Sequence, residues 1–138
     1  MLRYPLTHPE ILDALGSAGH GSRVLLADAN YPFRTAAGPH ARLVYLNVRP
    51  GLVGVVDMLA VLSTAVVVEE ALVMLPDTGP EPDIFAAFRQ LLPDLELPGV
   101  PRPAFYAAAR SEDVALVIAT GEQRLYANIL LTLGVAAG

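Results

Sequence analysis

Short, uninterrupted apolar runs spaced between helix-forming segments constrain this chain more than any other feature. Val24-Leu25-Leu26-Ala27, between Arg23 and Asp28, Leu43-Val44-Tyr45-Leu46, Ala71 to Leu75 and Val114 to Ala119 are apolar throughout, and Ala127 to Leu133 is apolar but for Asn128 and Thr132. They do not alternate with polar residues, which is how strands read when helices cover both faces of their sheet. Between them lie a helix opening at Thr7-His8-Pro9-Glu10, with capping-box spacing and Thr7 as the expected N-cap, and a helix running from Pro50-Gly51 to about Ser63. An amphipathic helix follows over Asp83 to Leu92, and a short one carries Phe105 and Tyr106. Pro93 to Pro103 holds four prolines and reads as an extended loop. The pattern predicts an α/β fold: a single domain over residues 1–138, three α/β/α layers deep, around a largely parallel or mixed sheet.

Composition narrows the function. The net charge is −5, and all nine basic residues are scattered arginines, which excludes a nucleic-acid partner. There is no Cys, so neither a disulfide framework nor thiolate chemistry is available, and a cytoplasmic location is expected. Hydrophobic residues make up 54% and charged residues only 17%, below the usual share for a small soluble domain, which points to apolar surface buried between copies in a homo-oligomer. Gly51 to Val68 is apolar enough to imitate a membrane span, but Asp57 interrupts it, Ser63 and Thr64 follow, and Glu69-Glu70 closes it, so no membrane partner is expected.

Ligands of open α/β sheets bind beyond the carboxyl ends of strands. Three polar clusters qualify for attention. His20 stands between Gly19 and Gly21, where it could shuttle protons or simply cap the end of the preceding helix. Asp28 ends an apolar strand, where its carboxylate could orient a histidine, hold a hydroxyl, or close an Asx turn before Asn30 and Pro32. Thr120-Gly121-Glu122 precedes Tyr126 and Asn128 at the last strand. Other chemistries fail: the glycines of Gly16-x-x-Gly19-x-Gly21 precede a strand rather than a helix, so they form no phosphate loop. His8, His20 and His40 lack metal-ligand spacing, so no metal is expected. In Glu69-Glu70, strand alternation sends the two carboxylates to opposite faces, against a paired-carboxylate site.

Gly19-His20-Gly21, Asp28-Ala29-Asn30-Tyr31-Pro32, Arg102-Pro103-Ala104-Phe105-Tyr106, Thr120-Gly121-Glu122 and Tyr126-Ala127-Asn128-Ile129-Leu130 occur in that order. Together they resemble the ribose pyranase and fucose mutarotase family over nearly the whole chain. The resemblance implies a cofactor-independent isomerase that opens and recloses a monosaccharide ring. It implies His20 as the acid–base residue and Asp28, Arg102, Tyr126 and Asn128 as sugar contacts, with sites at the interfaces of a homo-decamer. Arg102 followed by Phe105 is similar to the fucose-type pattern, where ribose-type members carry His. Ser22 and Tyr31 depart from the family's usual residues, and the segment from Tyr106 to Thr120 is slightly longer.

Overall fold

The computed structural model describes residues 1–138. Ten elements follow in order: α1 (Pro9–Ser17), β1 (Arg23–Ala27), β2 (Arg42–Tyr45), α2 (Val55–Ala65), β3 (Val68–Leu75), α3 (Ile84–Leu91), β4 (Gly99–Pro101), α4 (Arg102–Ala109), β5 (Val114–Ala119) and β6 (Ile129–Leu133). All six strands join one mixed sheet in the order β2-β5-β1-β6-β3-β4. β1 pairs in parallel with β5, β5 with β2, and β3 with β4, whereas β6 runs antiparallel to both β1 and β3. The two strands that close the sequence are therefore separated in space by β1.

The apolar runs are explained by cover on both faces. Along β1, Val24 and Leu26 face a core packed by Ile11 of α1, Leu59 and Leu62 of α2, and Phe85 and Phe88 of α3. Leu25 and Ala27 face the opposite core, packed by Phe105 and Ala109 of α4 and by Tyr31 and Ala36 of the loop after β1. Three helices thus lie on one side and one helix plus a loop on the other, giving the α/β/α layering.

Two local expectations change. His8, not Thr7, caps α1: its Nδ1 accepts the Ile11 N–H at 3.4 Å, and Pro9 occupies the first turn. Proline fixes its own φ and holds the preceding residue extended, so the helix begins at Pro9 and the cap falls to His8. The proline-rich segment is not all loop, because Gly99–Pro101 forms β4 and α4 starts immediately at Arg102. Proline is tolerated there since β4 is an edge strand with a neighbour on one side only. The stretch that imitates a membrane span divides into a loop, the 11-residue α2 and the start of β3, and no helix is long and apolar enough to cross a membrane.

Candidate functional site

The antiparallel β6 gathers the polar residues. Asp28 follows the carboxyl end of β1, Arg102 follows the carboxyl end of β4, and Tyr126 and Asn128 lead into the amino end of β6. Because β6 runs against β1 and β3, its incoming loop arrives at the same end of the sheet where those strands finish. The four residues line one cleft of about 240 Å³ with Asn30, Tyr31, Met74, Tyr106 and Leu125. That is smaller than the roughly 300–1,000 Å³ typical of drug-sized ligand sites and suits a small polar molecule.

Asp28 and Asn128 form its floor. The Asp28 N–H donates to Asn128 Oδ1 at 2.8 Å, and Asn128 Nδ2 donates back to Asp28 Oδ2 at 3.0 Å. This reciprocal pair fixes which way the Asn128 amide faces. The other Asp28 oxygen accepts the Asn30 N–H at 3.0 Å, the Asx turn expected from the sequence. Asp28 is only 4% exposed and Asn128 3%. Burial pushes the Asp28 carboxyl up from its ordinary range, opposed by hydrogen bonds from Asn30 and Asn128.

Arg102 and Tyr126 form the rim. Arg102 Nη2 donates to Tyr126 Oη at 3.1 Å, and its guanidinium carbon lies 5.5 Å from that ring's centre. Tyr126 has a left-handed backbone, φ 58°, uncommon for an aromatic side chain and retained where surrounding contacts fix it. Tyr31 packs edge-on against Tyr106 with centroids 5.3 Å apart, and its buried hydroxyl donates to the Ala36 carbonyl at 2.9 Å. A hydroxyl in place of the more common Phe is thereby satisfied within the loop.

Thr120-Gly121-Glu122 braces the edge beneath the cleft. Glu122 accepts from the Val55 N–H at 3.2 Å, capping α2 where Gly54 has no side chain to do so, and from Arg124 Nε at 2.8 Å. Arg124, followed by the Arg124 and Val55 N–H groups, pulls the Glu122 carboxyl down to about 2 against the cost of burial. At Gly121 an added Cβ would lie 2.4 Å from the Leu52 carbonyl, so only glycine lets the two loops close together. The Gly121 N–H donates to the carbonyl of Val53, whose own backbone is left-handed, φ 60°.

His20 is elsewhere. It precedes β1, so the five residues of that strand, roughly 16 Å at 3.3 Å per residue, separate it from Asp28. Within one chain the two residues do not touch, which removes Asp28 as the group that orients His20 of the same copy. The His20 ring does not cap α1 either. Its Nε2 lies 3.1 Å from both carboxylate oxygens of Glu69 on β3. The side chains of His20 and Glu69 remain 61% and 39% exposed. The sequence carries no local sign of Glu69 as the partner of His20, because 49 positions separate the two residues.

Residues 1–136 match the RbsD / FucU transport protein family, and the chain belongs to that family. It is 32% identical to D-ribose pyranase 1 of Rubrobacter xylanophilus, over 98% of each chain. It is 33% identical to the fucose mutarotase of Bos taurus, over 96% of this chain and 91% of the other. Both names denote isomerases acting on sugar rings. Among solved structures, the fucose mutarotase of Streptococcus pneumoniae in complex with L-fucose superposes with a TM-score of 0.84 at 27% identity, covering 99% of this chain and 100% of the other. Bacillus subtilis RbsD complexed with D-ribose shares the fold with a TM-score of 0.86 at 24% identity, covering 99% and 100%.

Proposed function

We propose that this chain is a monosaccharide mutarotase that interconverts the anomers of L-fucose or a related sugar by acid–base ring opening, needing no cofactor. The observation that carries this reading is the locked Asp28–Asn128 pair under the Arg102–Tyr126 rim, a small cleft of hydroxyl-binding groups. A sugar bound there would place one hydroxyl on Asp28, those near C1 on Tyr126 and Asn128, and a more distant one on Arg102. Protonation of the ring oxygen, with the anomeric hydroxyl's proton passing to solvent water, breaks the bond from C1 to the ring oxygen and leaves an open aldehyde. Rotation about C1–C2 and reclosure give the other anomer, and reclosure through a different hydroxyl exchanges pyranose for furanose. His20 exchanges the ring-oxygen proton. Since His20 lies at the opposite end of β1 from the cleft, a second copy would bring it there, in a cytoplasmic homo-oligomer whose expected size, from the family resemblance, is a decamer. Exposed apolar residues at both ends of the strands support that contact: Leu125 lines the cleft, and Val67 lines the groove beside His20.

Ribose pyranase activity is the competing reading, favoured by relatives of that name at the same level of identity. A panel of fucose, ribose and galactose followed by saturation-transfer NMR separates the two. Accelerated anomer exchange of fucose is expected, with His20→Ala lowering it about 100-fold. Exchange at the wild-type rate in His20→Ala would refute the assignment, and binding without acceleration would favour a non-catalytic sugar-binding protein for transport. Mixing refolded His20→Ala and Asn128→Ala chains should restore part of the lost activity if each site draws on two copies. No restoration would refute the shared site.

A further inference from the structure

We infer that Glu69 is a positioning residue for His20, aimed at it by a β-bulge; this rests on His20 being the proton-exchanging group. In the pairing of β3 with β6, Val68 stands opposite Leu133 and Glu70 opposite Thr132, so Glu69 is the extra residue of a bulge. A bulge breaks strand alternation and re-aims the side chain it carries. Here it turns the Glu69 carboxylate onto the His20 ring, 49 positions earlier in the sequence. The neighbouring strand leaves space for this: a Cβ at Gly134 would lie 3.2 Å from Glu69 Cβ and 3.0 Å from Val67 Cγ1. The Gly134 N–H also donates to the Val67 carbonyl at 2.9 Å, and the Gly21 N–H to the Leu133 carbonyl at 2.9 Å. Those bonds fix the glutamate-bearing and histidine-bearing segments to the same end of β6.

The chemical consequence is a defined tautomer. An ionised carboxylate only accepts hydrogen bonds, so Nε2 of His20 must carry the proton it donates to Glu69. Nδ1 is then the nitrogen left to take a proton from the sugar or return one. The same contact restricts rotation of a side chain that is otherwise largely exposed, which holds the ring ready for an incoming site. Glu112, Asp113 and His40 line the groove on the other side of His20, and none of them is hydrogen-bonded to its ring.

The full-length protein with Glu69→Leu or Glu69→Gln tests this by two readouts. Long-range ¹⁵N–¹H NMR of the His20 ring should show the Nε2–H form in the wild type and a mixture in Glu69→Leu, whether or not a sugar is present. Fucose anomer exchange should show kcat about 10-fold lower in Glu69→Leu with KM within twofold, and a smaller loss in Glu69→Gln, which keeps an acceptor oxygen. Gly134→Ala, which crowds Glu69 without removing it, should fall between wild type and Glu69→Leu. An unchanged tautomer in Glu69→Leu, or an unchanged kcat while His20→Ala is impaired, would overturn the role of Glu69. If His20→Ala itself leaves exchange intact, the reading of His20 fails instead, while the tautomer experiment still reports on the contact.

Discussion

The two ends of β1 solve different problems. At its carboxyl end Asp28, Asn128 and Glu122 are nearly inaccessible, and each has its polar groups matched by a defined partner. At its amino end His20 and Glu69 face solvent with only each other as hydrogen-bond partner. A ligand-binding floor must be rigid before the ligand arrives, because each loosely held hydroxyl-binding group costs ordering entropy on binding. A proton-exchanging group that another copy receives must instead stay accessible. Substitutions at the carboxyl end should therefore cost both stability and activity, and those at the amino end activity alone.

Asn128→Ala strikes the closed end hardest. It leaves the Asp28 N–H and one carboxylate oxygen without partners in a site that water scarcely reaches. A loss of about 3 kcal/mol in denaturant unfolding is expected, with sugar binding abolished. A loss below about 1 kcal/mol would mean that this end is not the rigid one.

Glu122→Gln should be next, at about 2 kcal/mol, since Gln keeps an acceptor for Val55 but loses the ionic bond to Arg124. Its pH dependence sharpens the contrast further. The folded-state value, lowered to about 2 mainly by Arg124, lies below the ordinary 4.5, so the folded protein binds fewer protons in that window. The stability supplied by Glu122 is complete above pH of about 4.5 and is lost as pH falls towards 2. Asp28 contributes with the opposite sign: burial raises its carboxyl, so protonation relieves a cost of folding as pH falls. Midpoints of denaturant unfolding measured across pH should show a shallower acid loss in Glu122→Gln than in the wild type. Parallel curves would refute the charge-based brace.

How legible these two ends are in the sequence follows from what holds them. Asp28, Tyr126 and Asn128 sit directly against apolar runs that read as strands, so their placement at strand ends follows from the pattern itself. The layering follows similarly, because strands without polar alternation need cover on both faces. Glu69 escapes because its partner His20 lies 49 positions earlier, and no local pattern joins the two. β4 escapes because Pro101 within it and Pro98 before it disfavour a strand unless it lies at an edge, and edges are set by sheet order. The Glu122 brace is likewise hidden, since a glutamate after Thr-Gly carries no local sign that it caps a helix 67 positions earlier.

The open end should give the smallest stability change and so the sharpest separation from the closed one. An ion pair between half-exposed side chains is worth little, because water screens it and both side chains lose freedom in making it. Neither His20→Ala nor Glu69→Leu removes a buried apolar group or leaves a buried polar atom unpaired, so the usual sources of large losses are absent. Each should shift unfolding by less than about 0.5 kcal/mol while His20→Ala still suppresses anomer exchange about 100-fold. Differential scanning calorimetry beside exchange NMR on the same samples checks both numbers. A stability loss approaching that of Asn128→Ala would show that His20 and Glu69 are part of the fold's framework, and the division of labour between the two ends of β1 would fail.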